Sequence, residues 1–205
     1  MKKIFLALTA LFLSAPAFAA VGCDLNDPDR DVARLFPGST GYRTRYVSIK
    51  GSGGQPLLER VETRLGDKFK GLYETMDVPY TLYDIYKGKE VIGYIHGVNQ
   101  KGEYGGIQVF LALDRAGLIK SFYIQKLTSR AARDLRAREF GSQFAGLALK
   151  DFEAYDPVAA KALPGSAPEK IKGPAKAGKD FAAVLRAVKK NLILLDEFVF
   201  SKKEK

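Results

Sequence analysis

The sequence has little of the chemistry on which most catalytic and metal sites depend. Its 205 residues include one cysteine, Cys23, and one histidine, His96. A single cysteine excludes an intramolecular disulfide and the paired cysteines of a haem attachment motif. A single histidine excludes histidine-rich metal sites and bis-histidine haem ligation.

Catalytic motifs are equally scarce. The sequence contains no P-loop, no dinucleotide-binding fingerprint and no nucleophile elbow. A Ser-His-Asp triad would require His96, which lies among apolar residues in the middle of a predicted strand, and this favours an ordinary sheet residue. No motif brings carboxylates such as Glu103 and Asp114 together. The sequence therefore argues against a hydrolase.

The N-terminus has the features of a bacterial export signal. Lys2 and Lys3 precede an apolar run over residues 4–13, which is too short to span a bilayer. Ala17-Phe18-Ala19 then supplies the small residues that signal peptidase requires. We predict that residues 1–22 form an export signal, cleaved after residue 19 or 22, and that the mature protein is periplasmic.

Cleavage after residue 22 would make Cys23 the first residue of the mature chain. The sequence Ala20-Val21-Gly22-Cys23 resembles a lipobox, the signal at which a bacterial lipoprotein is cleaved and acylated on its new N-terminal cysteine. Lipidation at Cys23 would anchor the periplasmic protein to a membrane. Cleavage after Ala19 is the alternative, and it leaves Cys23 as a free thiol.

The chain is basic, with a formal net charge of +10. Removal of Lys2 and Lys3 leaves about +8. In the cytoplasm this charge would suggest nucleic acid, but export argues against such a partner. The anionic partners that remain are lipid headgroups, an acidic protein or a phosphorylated ligand. A solvated cationic surface without a specific partner is the alternative.

Strand-like runs in the middle of the chain predict an antiparallel sheet. They cover residues 81–86, 91–98, 107–113 and 118–126, and an earlier strand is predicted over 42–49. Tight turns at residues 87–89 and 114–117 force antiparallel pairing, and a longer glycine-rich connection covers 99–106. One face of this sheet must be buried against helices. The predicted fold class is therefore α+β, an antiparallel β-meander packed against helices in a single domain.

Helical patterns flank the predicted strands. Helices are expected over 29–36, around Leu57, Leu58, Val61 and Leu65 with Gly66 at the end, over the arginine-rich residues 129–144, and after Asp180 as a cap. Residues 51–54 are a predicted loop, 155–176 a surface segment, and 192–200 a buried helix or edge strand. A linker and short helix occupy 23–41, the α+β domain 42–200, and a disordered tail 201–205.

Three aspartates near the N-terminus alternate as in a calcium-binding loop. They are Asp27, Asp29 and Asp31. However, Val32 stands where the turn glycine of such a loop belongs, and no later glutamate completes the ligand set. A linker that ends in a helix N-cap is the interpretation we adopt.

Two loops are candidate ligand sites. Residues 101–106 contain glycines that let backbone N–H groups approach a ligand, and Tyr104 offers a ring for stacking. Residues 171–175 precede the last helix, where Lys172 and the helix N-terminus suit a phosphate. The alternatives are a flexible hairpin loop and an ordinary surface loop.

The order of these features resembles the FMN-binding domain. The similarity covers residues 29–200 and depends mainly on Gly93-Tyr94, Tyr104-Gly105-Gly106, Asp114, Gly117-Leu118-Ile119 and the alanine-rich final helix, with further matches at Leu35-Phe36-Pro37 and Leu65-Gly66. This domain occurs in the C subunit of the sodium-pumping NADH:quinone reductase, the G subunit of the Rnf complex and the nitrous oxide reductase regulator.

The resemblance implies an exported electron carrier, or an accessory of a periplasm-facing redox complex, with FMN as cofactor. The expected partner is a membrane redox complex or another redox protein. The isoalloxazine ring would lie near Tyr104-Gly105-Gly106 with Thr128 at its border, and the phosphate near Arg130, Lys172 and Gly173.

Two departures from the family pattern bear on this expectation. In many members a threonine carries the flavin through a phosphoester, but the matching stretch here has Ala175, so any FMN would be held non-covalently. The Glu-Thr-Pro-Gly motif that borders the flavin is replaced by Thr128-Ser129-Arg130-Ala131. A cofactor-free binding or assembly module on the same fold is therefore the alternative.

Overall fold

The computed structural model of the chain describes residues 22–71 and 73–201. The predicted export signal, apart from Gly22, and the predicted disordered tail, apart from Ser201, lie outside these residues. Among the helices of the described residues, none combines the length and the apolar character needed to cross a bilayer.

A five-stranded antiparallel sheet lies at the centre of the fold. Its strands are β1 (Gly41–Val47), β2 (Tyr80–Lys87), β3 (Glu90–Lys101), β4 (Gly106–Asp114) and β5 (Ile119–Lys126), and they pair in chain order. Short hairpin connections impose this order from β2 to β5, because they leave no length for a crossover, whereas a longer segment with two helices joins β1 to β2. At the last turn, the Asp114 carboxylate accepts hydrogen bonds from the N–H groups of Ala116 and Leu118 at 2.9 and 3.0 Å.

Helices flank the sheet, as the predicted α+β class requires. They are α1 (Pro28–Leu35), α2 (Ile49–Ser52), α3 (Gly54–Leu65), α4 (Ala132–Leu135), α5 (Arg138–Ser142), α6 (Leu149–Phe152), α7 (Ala167–Lys170) and α8 (Gly178–Leu195). A small hairpin of β6 (Tyr155–Asp156) and β7 (Lys161–Ala162) precedes α7. The helix α8 packs across β3 and β4 with α3 beside it, and its Val184, Val188 and Leu192 enter the main core. The single-domain α+β prediction is confirmed.

The other face of the sheet is also covered, whereas the sequence predicted helices on one face only. Residues from the N-terminal segment and α1 pack there on Tyr83, Ile85, Ile95, Phe110 and Ala112. Even Cys23 and Leu25, in the predicted linker, are only 1% and 4% exposed. The reason is that β2, β3 and β4 carry apolar side chains on both faces, so both faces must be buried.

Several local predictions were wrong in their boundaries or roles. The helix predicted over residues 129–144 is interrupted at Ala137, which is extended with φ −63° and ψ 147°, so that two short helices form. The predicted loop over 51–54 is largely helical, because α2 ends at Ser52 and α3 begins at Gly54. The glycine-rich connection predicted over 99–106 is only residues 102–105, because β3 and β4 extend further.

The C-terminal third also differs from its predicted course. The supposed surface segment 155–176 contains the buried residues Tyr155, Pro168 and Ile171. Residues 192–200 are helical, the first of their two predicted alternatives, with a π-helical turn over Asp196–Phe200. The predicted cap Asp180 lies inside the first turn of α8, and Ala177 precedes the helix.

The three N-terminal aspartates separate onto different partners. Asp27 is the N-cap of α1, as expected, and accepts from the N–H of Arg30 at 3.2 Å. Asp29 accepts from the Tyr42 hydroxyl and Asp31 from Arg34, each at 2.8 Å. Among the described residues, no group of three or more histidine, cysteine, aspartate or glutamate side chains is placed to hold a metal ion.

Candidate functional site

The two candidate loops lie on either side of the first turn of α8. The loop between β3 and β4 is attached to this turn, because the Asp180 carboxylate accepts a hydrogen bond from the N–H of Glu103 at 2.7 Å. The segment before α8 contacts the same turn, where Gly173 lies directly against the Phe181 ring. The start of α8 therefore connects the loops that the sequence analysis singled out.

Four of the predicted flavin-binding residues come together beside this turn. The Arg130 guanidinium carbon lies 5.6 Å from the centroid of the Tyr104 ring. A side chain added at Gly105 would place its Cβ 3.8 Å from the Cβ of Thr128. The Tyr104 side chain is 45% exposed. We call the surface formed by these four residues, Tyr104, Gly105, Thr128 and Arg130, the Tyr104 surface.

The three glycines of the predicted site differ in what surrounds them. A Cβ at Gly106 would lie 2.8 Å from the Tyr73 hydroxyl, and one at Gly173 would lie 2.6 Å from the Phe181 ring. Packing alone therefore explains why these two positions are glycine. At Gly105 the nearest described atom is 3.8 Å away, and its φ lies outside the left-handed region. Within the described residues, packing gives no reason for glycine at Gly105, which leaves its backbone open to a ligand.

Lys172 lies on the other side of the α8 start. Its N–H donates to the Gln143 side-chain oxygen at 2.8 Å, and its carbonyl accepts from the Gln143 amide at 3.1 Å. The backbone of Lys172 is therefore engaged, and its exposed ammonium group is the part left for an anion.

The Asp180 carboxyl group lies in the first turn of α8, beside the helix N-terminus that the sequence singled out as a phosphate site. This side chain is 1% exposed, and its second oxygen, Oδ2, is buried without a hydrogen-bond partner in the described residues. A carboxylate in the first helical turn already compensates the helix dipole and weakens its attraction for a phosphate. The free oxygen instead suits a hydroxyl or N–H donor.

A cleft of about 340 Å³ opens next to the loop, over a buried cluster of charges that we call the Glu74 cluster. It consists of Glu74, Arg186 and Lys190. The Arg186 guanidinium donates to both Glu74 oxygens, and the Lys190 ammonium donates to Glu74 Oε1 at 2.6 Å and to the Asn99 carbonyl at 2.7 Å. No sequence pattern indicates this cluster, because 112 and 116 residues separate its partners.

Burial and pairing shift the pKa values within the Glu74 cluster. Burial lowers the pKa of Lys190 to about 8, against the opposing influence of Glu74. Burial also acts to raise the pKa of Glu74, but Lys190 and Arg186 outweigh it and hold that pKa below its ordinary value. Glu74 is therefore ionised at neutral pH and compensates the two buried cations.

His96 is fully buried between the sheet and α8. The Asn191 amide donates to the carbonyls of His96 and Val109, which leaves the Asn191 oxygen to accept from His96 Nδ1 at 2.8 Å. The other ring nitrogen, Nε2, has no hydrogen-bond partner in the described residues. Burial lowers the pKa of His96 to about 4, so this residue is neutral at physiological pH.

We expect His96 to make the protein less stable in mild acid. Its pKa is about 4 in the folded chain, against an ordinary value of 6.5, so the unfolded chain binds a proton that the folded chain does not. This difference lowers the free energy of unfolding by about 2 kcal/mol between pH 7 and pH 5. Urea unfolding at both pH values measures it. His96→Gln should lose most of this pH dependence, and an unchanged dependence in that variant would contradict the prediction.

The site and fold together define an α+β protein with a candidate ligand surface at the start of α8. No family model matches the chain, and no curated protein matches it significantly.

Proposed function

We propose that this protein is exported, binds FMN non-covalently, and acts as an electron carrier or as an accessory of a periplasm-facing redox complex. The observation that carries the proposal is the Tyr104 surface beside the first turn of α8. It combines an exposed ring, an open glycine, a hydroxyl and a guanidinium, which are groups that a flat, hydrogen-bonding and anionic ligand requires. Among ligands of this kind we propose a flavin, because the sequence resembles the FMN-binding domain.

The residues of the site have distinct roles in this proposal. Tyr104 stacks on the isoalloxazine ring, and Gly105 lets the loop backbone approach it. The Thr128 hydroxyl supplies a hydrogen bond at the ring border. Arg130, which the sequence assigned to the phosphate, lies 5.6 Å from the Tyr104 ring centroid and supplies positive charge beside the flavin ring instead. The Lys172 ammonium attracts the phosphate, with Gly173 beside it. Bound FMN would supply the electron-transfer chemistry, while the protein positions it and adjusts its potential.

A cofactor-free binding or assembly module remains the second candidate, and the start of α8 is the observation that favours it. Asp180 puts a carboxylate where a phosphate would use the helix dipole. Packing also accounts for Gly106 and Gly173 without a ligand. In this case the protein would contact its redox partner without holding a flavin of its own.

Flavin titration of loop variants tests the proposal. We expect Gly105→Val to weaken FMN binding at least tenfold, because the new side chain blocks the approach to the backbone. Among the described residues, the atom nearest to the added Cβ is the Cβ of Thr128 at 3.8 Å. The free energy of unfolding should therefore change by less than about 0.5 kcal/mol. Quenching of FMN fluorescence and urea unfolding are the two measurements.

The exposed tyrosines provide a matched pair for the same titration. Tyr104→Ala removes the stacking ring, whereas Tyr46→Ala removes a 69% exposed ring from the edge strand β1. Only the first variant should lose FMN affinity. Equal affinity in Tyr104→Ala, Gly105→Val and the wild type would remove the Tyr104 surface from consideration as the flavin site.

Contacts at the start of the described chain favour one of the two predicted cleavage positions. Leu25 donates its N–H to the Tyr83 hydroxyl at 3.0 Å, and Thr81 donates to the Asp24 carboxylate at 2.6 Å. Cys23 belongs to the same buried cluster as Leu25 and Tyr83, on the second face of the sheet. A thioether-linked lipid on Cys23 would have to lie inside this cluster. We therefore propose cleavage after Ala19 and a free periplasmic protein, with the lipoprotein as the alternative.

We expect the Cys23 thiol to be nearly inert in the folded protein. Burial raises its pKa far above the ordinary value, and the thiolate is the reactive form. Reaction with an aromatic disulfide reagent should be at least a hundredfold slower than in denaturant.

The intact mass of protein purified from an exporting host should correspond to a chain beginning at Ala20. A diacylated mass that Cys23→Ser abolishes would instead establish the lipoprotein.

A further inference from the structure

A groove of about 610 Å³ lies along the outer edge of the sheet, separate from the Tyr104 surface. Strand β5 is the last strand of the sheet, and the groove follows it between Arg34 of α1 and the residues of α5. None of the four residues of the Tyr104 surface lines it. We call it the β5-edge groove.

The β5-edge groove is strongly cationic. Four basic residues line it, Arg34, Lys120, Arg136 and Arg138, and no acidic residue does. Arg34 is paired with Asp31 at 2.8 Å. Within the described part of the chain, the other three have no carboxylate within 4.0 Å. Three uncompensated positive charges therefore face one concave surface.

One of these cations is held in place by the main chain. The Arg136 side chain donates from Nε to the Ile124 carbonyl at 3.2 Å and from Nη2 to the Gln125 carbonyl at 3.1 Å. Both acceptors are neutral carbonyl groups and not carboxylates, and donors on the outer side of the guanidinium remain available. A fixed guanidinium loses little conformational entropy when it binds two oxygens of a phosphate or carboxylate.

The β5 edge is too short for a partner strand. At one end, Ile119 exchanges two backbone hydrogen bonds of 2.8 Å with Gly146 and Leu147. At the other end, Arg136 occupies the carbonyls of Ile124 and Gln125. Only the backbone groups of residues 120–123 could pair with a further strand, and this short stretch disfavours the addition of an extended peptide. The volume of the groove lies in the range of small-molecule sites.

We propose that the β5-edge groove binds a phosphate-bearing ligand. A phosphate group carries up to two negative charges on one centre, and several guanidinium and ammonium groups can share its oxygens. The ligand is either a free phosphorylated molecule or the headgroup of an anionic phospholipid. Both sources present the same chemistry to Lys120, Arg136 and Arg138.

Titration with inorganic pyrophosphate, followed by backbone amide NMR at low salt, tests whether the groove binds a free phosphorylated molecule. We expect shifts confined to residues 120–124 and 136–142. Lys120→Gln/Arg138→Gln should weaken binding at least tenfold, because it removes two of the three uncompensated cations without touching the Arg136 hydrogen bonds. Lys161→Gln/Lys170→Gln removes the same net charge at two exposed positions elsewhere and should leave binding unchanged.

Sedimentation with vesicles tests whether the groove binds the headgroup of an anionic phospholipid. Binding to phosphatidylglycerol vesicles, absent with phosphatidylcholine and lost in Lys120→Gln/Arg138→Gln but not in the control, would support a headgroup ligand. Equal loss in both double variants would overturn the proposal, because net charge alone would then explain binding. Failure of both phosphate probes, or binding of an oligoglutamate peptide alone, would overturn it as well. None of these readouts depends on whether FMN binds.

Discussion

Glu74→Gln is expected to lower the free energy of unfolding by about 3–5 kcal/mol. The Lys190 ammonium is fully buried, and its only carboxylate partner among the described residues is Glu74. Arg186 would also lose both bonds to that carboxylate. Removing the anion leaves the Lys190 ammonium buried without a carboxylate partner among the described residues, while Arg186 keeps its pair with Asp67 at 2.9 Å. The cost of the unpaired Lys190 exceeds that of breaking a surface pair. Urea unfolding at pH 7 measures the effect.

An exposed ion pair provides the control for Glu74→Gln. Glu90 pairs with Arg115 at the surface, where both side chains are more than 60% exposed. Glu90→Gln should therefore change stability by less than about 1 kcal/mol. Adding Lys190→Met to Glu74→Gln should restore part of the loss. Similar small effects of Glu74→Gln and Glu90→Gln would show that the Glu74 cluster is not dry in solution.

Gly93→Ala is expected to lower the free energy of unfolding by about 3 kcal/mol or more. The added Cβ would lie 2.2 Å from the Phe36 ring and 2.3 Å from the carbonyl oxygen of Leu113. The ring can rotate away, but the oxygen belongs to the backbone of β4, which pairs with β3 at this point. The sheet or the segment that covers it must therefore shift.

Gly41→Ala is the matched control for Gly93→Ala. A Cβ at Gly41 would meet nothing within 4 Å, and the φ of this residue lies outside the left-handed region. Its effect should be within about 0.5 kcal/mol. If Gly93→Ala were equally neutral in urea unfolding, the close packing of Phe36 on the second face of the sheet would be wrong.

The sheet could be predicted from the sequence because short stretches of sequence are enough to specify its strands and its turns. Alternating apolar residues mark the strands, and turn residues such as Gly88 and Gly117, both with positive φ, mark the hairpins between them. The cover on the second face could not be predicted in this way. Cys23 and Leu25 look like a linker in sequence, and only the apolar outer face of β2 to β4 draws them into a core.

The candidate site was predictable only in part. The family resemblance implied a flavin ring near Tyr104, Gly105 and Thr128 and a phosphate near Arg130 and Lys172. The structure brings Arg130 to Tyr104, and Lys172 contacts Gln143 instead. Asp180 has the sequence position of a helix cap, yet it holds the neighbouring loop through Glu103. The Glu74 cluster had no sequence signal at all, since a buried lysine on an amphipathic helix looks like a surface residue until its distant partner is known.

Addition of FMN to the purified mature protein tests the central claim most directly. We predict that the protein retains one FMN per chain through gel filtration, with the two visible absorbance bands of a bound flavin. Because Ala175 offers no hydroxyl for a phosphoester, denaturation should release all of this flavin into the filtrate. A protein that is colourless as purified, leaves FMN fluorescence unquenched and elutes without flavin would contradict the account.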